Sequence, residues 1–424
     1  MRLSRFALAL TLSLLFTAPL HGAKACAAFG CRAQPNAPLL EVISASPTAS
    51  LAQTLGDELD RAHKLSDRVI ELYEAGRYGE AVVAAEAVVT LFRQHLDETH
   101  PDVIASLNNL AVLYQTLGRY GEAEPLLLDV LTLHQRLDSD DAELATSLNN
   151  LATLYQFQGR QTEALPLFQR AIAMLRQQPE VDPRNLAVTL NNLATVYEAL
   201  GRYGEALPLY QDTLETLEQN LGPDHPDVAT ALFNLASFER LQGRYGNAEA
   251  QLHRVLEIRQ EQQGRAHPDF ATALNELALI YRHQGRYGEA EPLLTEALAT
   301  WRQQLGDDHP YIATGLNNLA RLYRAQGRVG EAETLYQEAL ARWRQQLGHD
   351  HPSVATALNN LATLYSLQPQ RQDEAEDLLT EALAIRRANW DLPILTWPIA
   401  SATWPPSLPI RGGRRRRQGA MARC

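Results

Sequence analysis

Leu107-Asn-Asn-Leu-Ala-Val-Leu-Tyr114, followed after three intervening residues by Gly118-Arg-Tyr-Gly-Glu-Ala123, decides the fold of this chain. The first word returns as Leu148-Asn-Asn-Leu-Ala152, Leu190-Asn-Asn-Leu-Ala194, Leu232-Phe-Asn-Leu-Ala236, Leu274-Asn-Glu-Leu-Ala278, Leu316-Asn-Asn-Leu-Ala320 and Leu358-Asn-Asn-Leu-Ala362, in steps of 41 or 42 residues. The second returns at the same offset as Gly159-Arg-Gln-Thr-Glu-Ala164, Gly201-Arg-Tyr-Gly-Glu-Ala206, Gly243-Arg-Tyr-Gly-Asn-Ala248, Gly285-Arg-Tyr-Gly-Glu-Ala290 and Gly327-Arg-Val-Gly-Glu-Ala332. Gly76-Arg-Tyr-Gly-Glu-Ala81 marks an earlier, divergent copy, so about eight units run between 57 and 388. A regular period of this length signals stacked supersecondary units, and it overrides the two or three globular domains that 424 residues would otherwise suggest.

Each unit reads as two helices. Leu107, Leu110, Ala111 and Tyr114 recur at helical spacing and predict an amphipathic helix A over Pro101–Leu117. Gly118 fits the left-handed position that ends a helix, because it has no Cβ to clash. Helix B opens near Gly121, with Glu122 and Glu124 at the positive end of its dipole, and continues through Ala123, Leu127, Val130 and Leu131. Pro125, Pro166, Pro208 and Pro292 are expected in its first turn, where a missing N–H costs least. A lone hairpin cannot bury both stripes, so Ala111, Tyr114 and Ala123 must pack on the neighbouring hairpin, and the fold class is all-α, a solenoid.

The joints between units read Asp224-His-Pro-Asp227, Ala266-His-Pro-Asp269, Asp308-His-Pro-Tyr311 and Asp350-His-Pro-Ser353. Proline after a polar residue is a helix start. Histidines beside aspartates also suit metals, but one pair per unit spaces them along the array instead of gathering them on one ion, so no metal is expected.

Composition narrows the function. A formal charge of −12 argues against nucleic acid, whose binding needs a concentrated basic surface. The three cysteines, Cys26, Cys31 and Cys424, lie outside the repeats, so neither disulfides nor cysteine-bound zinc holds the array. No lysine-bearing phosphate loop, His-Glu-x-x-His or Gly-x-Ser-x-Gly occurs, so neither catalysis nor a cofactor is expected.

The ends differ from the middle. Arg2 and Arg5 precede an apolar run over Phe6–Phe16, with Ala23-Lys-Ala25 after it, which reads as a signal peptide over 1–25 cut after Ala25. The run is too short for a transmembrane span. Cys26 would then be first, but Lys24 suits a lipidation site poorly. Residues 26–56 read as a flexible linker, the solenoid as 57–388, and 389–424 as a Pro/Trp/Arg-rich disordered tail. The expected location is periplasmic or extracellular.

Leu-Asn-Asn-Leu-Ala-x-x-Tyr, Gly-Arg-Tyr-Gly-Glu-Ala and His-Pro-Asp-Val-Ala at this period resemble the tetratricopeptide repeat of the kinesin-light-chain type. The resemblance implies a right-handed superhelix with helix A lining a concave groove that binds extended peptides of partner proteins. It assigns peptide contact to the second asparagine of each word, here Asn109, Asn150, Asn192, Asn234, Asn318 and Asn360, with Glu276 interrupting the series. The residues agree in outline, since Asn109 lies off the Leu107, Leu110, Ala111, Tyr114 stripe and its amide can face the groove; the alternative is that these amides bridge adjacent helices. Three and six residues further along helix A stand Ser237 and Arg240, Leu279 and Arg282, and Arg321 and Arg324, so the later units are basic and an acidic peptide or a C-terminal carboxylate is the expected ligand, the alternative being a solvated face paired with neighbouring glutamates. A scaffold for protein partners is therefore the leading expectation. A self-assembling structural solenoid and the regulatory part of a larger enzyme are the alternatives.

Overall fold

The protein is described by a computed structural model over residues 47–389, apart from 138–140 and 179–181. Within these residues sixteen α-helices form eight consecutive hairpins and no strand occurs. Unit 1 pairs α1 (Pro47–Glu74) with α2 (Tyr78–His95), and unit 2 pairs α3 (Pro101–Thr116) with α4 (Tyr120–Arg136). Units 3 and 4 are α5 (Asp141–Phe157) with α6 (Gln161–Gln177) and α7 (Pro183–Ala199) with α8 (Tyr203–Leu221). Units 5 and 6 are α9 (Pro226–Leu241) with α10 (Tyr245–Gln263) and α11 (Pro268–His283) with α12 (Tyr287–Leu305). Unit 7 joins α13 (Pro310–Ala325) to α14 (Val329–Leu347), and unit 8 joins α15 (Pro352–Tyr365) to α16 (Gln372–Asn389) through a 3-10 turn at Pro369–Arg371. Helix α1 thus begins ten residues before the expected start of the array at 57. The signal segment, residues 26–46 of the linker, the three cysteines and the tail from 390 lie outside the described residues.

The turn words have a physical reading. Gly118 adopts φ 72°, its N–H donates to Gln115 O at 3.0 Å, and the Arg119 N–H donates to Tyr114 O at 2.8 Å. Two carbonyls at the end of α3 are thereby satisfied. The arginine after the glycine then binds both words together. In unit 3 the Arg160 guanidinium lies 3.9 Å from the centre of the Tyr155 ring, forks onto Glu163 at 2.7 Å, and reaches Glu124 of the preceding unit at 2.8 Å. Arg119 on Tyr114, Arg286 on Tyr281 and Arg328 on Tyr323 repeat the stack. Each such arginine combines a cation–π contact with a planar fork that lysine lacks.

Histidine begins the helices at the joints. The Nδ1 atoms of His100, His225, His267, His309 and His351 accept from the backbone N–H two residues on, at 3.1–3.2 Å, with proline between. They act as N-caps, satisfying a donor that the helix itself cannot.

One detail of helix B corrects the expectation. Because α4 starts at Tyr120, Pro125 stands sixth in the helix, beyond the first turn, as do Pro166, Pro208 and Pro292 in theirs. Pro125 is exposed, so water can serve the carbonyl that loses its helical partner.

Ala111 and Ala123 are fully buried, as the stacking argument requires. Successive A helices touch one another, which places them on the inner face of the array. The array also returns to its start. Helix α14 packs on α2, Leu347 joins the apolar cluster of the first units, and Gly76 sits against His309 and Pro310.

Candidate functional site

The second asparagines lie on the inner face, and the structure commits their amides to one another. Asn150, Asn192, Asn234, Asn318 and Asn360 each donate through Nδ2 to the first asparagine of the preceding unit, namely Asn108, Asn149, Asn191, Asn275 and Asn317, at 2.9–3.3 Å. The result is a ladder along the A helices. Asn109, at the start of the series, is buried with its Oδ1 unpartnered among the described residues.

The break in the ladder is informative. Unit 5 has Phe233 where its neighbours carry the first asparagine, so an amide at 276 would find no acceptor there. Position 276 holds a glutamate instead, which accepts from Ser237 Oγ at 3.0 Å and from Arg240 Nε at 2.6 Å. This ion pair is almost sealed, with side-chain exposures of 9% for Arg240 and 4% for Glu276. The two irregularities in the sequence are thus one structural exchange, amide–amide for carboxylate–guanidinium.

The arginines further along the A helices come together. Burial and the charges of Arg321, Arg240 and Arg324 push the Arg282 guanidinium down to about 10. Burial likewise lowers Arg321, with Arg240 and Arg324 adding to the effect. Both shifts mean that Arg282 and Arg321 feel neighbouring cations at low solvent screening. Arg240 has Glu276, but Arg282, Arg321 and Arg324 make no ion pair among the described residues. Arg282 Nη2 donates to His283 Nε2 at 2.9 Å, while its Nε has no partner among the described residues. Two desolvated guanidiniums, Arg282 and Arg321, with Arg324 beside them, thus gather positive charge on the inner face without a salt-bridged carboxylate among the described residues.

Sequence reasoning did not single out Tyr336, on α14, whose electrostatic neighbours are Arg324, Arg321 and Arg282. It is 0% exposed and its hydroxyl has no partner among the described residues. The signal was present in the repeat. Tyr210 stands at the same position three units earlier, where Glu198 occupies the place of Arg324.

No group of metal-ligating side chains occurs among the described residues, and none of their helices is long and apolar enough to cross a membrane.

A profile described as tetratricopeptide repeat matches residues 60–136, 111–177, 185–261, 269–335 and 311–388, well over half of the chain. No curated protein matches by sequence. Among solved structures, a putative kinesin light chain of Podosopora anserina with nearly identical TPR-like repeats is 28% identical, with 49% of this chain and 97% of that chain covered and a TM-score of 0.39. The apo form of the quorum sensor NprR from B. thuringiensis is 15% identical, with 79% and 98% covered and a TM-score of 0.52. A Rap protein complexed with competence and sporulation factor is also 15% identical, with 79% and 93% covered and a TM-score of 0.50.

Proposed function

Given that the chain belongs to the tetratricopeptide repeat family, with a unit of the kinesin-light-chain type, we propose that it is a non-catalytic scaffold whose inner face holds an acidic segment of a partner protein. The observation that carries this reading is the set of arginines at 282, 321 and 324, the first two desolvated and none in an ion pair among the described residues. Charge-assisted hydrogen bonds from guanidinium to carboxylate are worth about 1.5–3 kcal/mol each, so two or three suffice to select acidic over neutral peptides. The asparagine ladder spaces the A helices, and Asn109, with its free Oδ1, supplies an acceptor for a peptide N–H.

Titration of the chain with an acidic peptide library tests the proposal. Replacing Arg282 and Arg324 together by alanine is expected to weaken binding at least tenfold, from the loss of about 1.5 kcal/mol or more. Unchanged affinity overturns it. Export completes the reading: the mature chain is expected to start at Cys26, and recovery of envelope protein beginning at Met1 overturns that part.

A further inference from the structure

The repeat contains its own comparison for the arginine site. In unit 4 the Tyr210 hydroxyl, on α8, donates to Glu198 Oε2 on α7 at 3.0 Å. Adding three periods of 42 residues to both positions gives Tyr336 and Arg324. The tyrosine is kept and its acceptor is exchanged for a cation. Its hydroxyl is left buried and unpartnered among the described residues, beside three guanidiniums. A phenol donor is still in place, the charge around it has changed sign, and the carboxylate is gone.

We propose that a carboxylate of the bound segment plays toward Tyr336 the acceptor role that Glu198 plays toward Tyr210 in unit 4, accepting a hydrogen bond from the Tyr336 hydroxyl while Arg324 and Arg282 neutralise its charge. The inference rests on the acidic-segment reading and makes Tyr336 a specificity-determining residue of that site. Three features of the chain fit the proposal. Burial without a partner leaves the hydroxyl a desolvation cost that an incoming acceptor removes. Arg282 also keeps an unpartnered Nε among the described residues, so one neutral and one cationic donor are satisfied by the same ligand group. Glu276 cannot serve as that group, because it is already engaged by Ser237 and Arg240.

The repeat also supplies the conservative variant. Phe168 stands at the corresponding position of unit 3, fully buried, so Tyr336→Phe removes the oxygen from a place where the fold accepts phenylalanine. Three fluorescein-labelled decapeptides serve as probes in anisotropy titrations of the full chain: one with two internal glutamates and an amidated end, one with glutamines in their place and an amidated end, and one with glutamines and a free terminal carboxylate. Tyr336→Phe is expected to weaken binding of a carboxylate-bearing probe about tenfold, as the loss of one hydrogen bond to a charged acceptor implies, and to leave the neutral probe unchanged. Whichever acidic probe responds identifies a side-chain or a terminal carboxylate as the ligand group. The melting temperature of the variant is expected to stay level or rise, since a buried unpartnered hydroxyl is removed. If Tyr336→Phe binds the acidic probes as the unsubstituted chain does while the Arg282 and Arg324 double variant does not, the inference falls and the acidic-segment reading stands. If the unsubstituted chain binds neither acidic probe, both fall.

Discussion

The imidazole Nε2 of His351 lies 3.2 Å from the carbonyl oxygen of Thr116, although 235 residues separate them in the chain. The other ring nitrogen accepts from the Ser353 N–H at 3.1 Å, so one neutral tautomer, protonated on Nε2, caps α15 and bonds α3 at once. This contact joins the seventh and eighth units to the second. It shows that a period of local hairpins has produced a long-range closure.

Glycine isolates the closure energetically. Gly76 and Gly201 share φ +71°, but a Cβ on Gly76 would stand 2.8 Å from Pro310 Cδ and 2.9 Å from His309 Cδ2, whereas one on Gly201 meets nothing within 4 Å. Both alanine variants carry the left-handed backbone penalty of ~1 kcal/mol. Gly76→Ala is expected to lose more stability than Gly201→Ala, by a further ~1–3 kcal/mol of overpacking, and to raise the radius of gyration in small-angle scattering. Equal losses would show that the closure contributes nothing.

The histidines set a pH dependence. Burial pushes His309 and His351 down to about 4, while in the unfolded chain they titrate near their ordinary value of 6.5. The folded state therefore binds fewer protons between these values, so their contribution is complete above 6.5 and is lost as pH falls toward 4. Protonation also removes the Nδ1 acceptor that caps α13 and α15. Melting temperatures are expected to drop from pH 6.5 to 5, and His351→Gln to flatten that slope. A slope identical in the variant would remove His351 from the account.

The asparagine ladder should behave as a set of coupled pairs. Asn318→Leu leaves Asn275 Oδ1 buried without its donor, 2.9 Å away in the unsubstituted chain, and is expected to cost ~1–3 kcal/mol. Asn275→Leu in the same chain should recover part of the loss, which a double-mutant cycle of denaturant midpoints would report. Strict additivity of the two losses would argue against a direct bond.

Arg160→Lys keeps the charge and discards the fork. Lysine cannot span Glu163 and Glu124 while covering the Tyr155 face, so a loss of ~1 kcal/mol is expected, visible as a lower denaturant midpoint. A midpoint unchanged by lysine would mean that point charge alone suffices.

Much of this was legible in the residues. The words beginning at Leu107 and Gly118 located the hairpins, because a helix stripe and a positive-φ glycine are local requirements that sequence states directly. The arginines at 240, 282, 321 and 324 were legible as a series but not as a group. The effect of Arg240 and Arg324 on Arg282 and Arg321 depends on how far apart successive helices place them. The Asn234 amide looked available for a ligand, since helical spacing puts it off the apolar stripe. Its actual partner, Asn191, lies 43 residues away on α7, the A helix of the preceding unit.

The sequence by itself determined the unit, its caps, its turn and the number of copies, since each follows from interactions spanning a few residues. Only the tertiary structure decided which amides and guanidiniums are consumed internally and which donors remain for a partner. It also decided that the Tyr336 hydroxyl is buried without a partner among the described residues, and that His351 meets Thr116. Those outcomes depend on the small rotation between neighbouring hairpins, which accumulates over the whole array and is written in no single repeat.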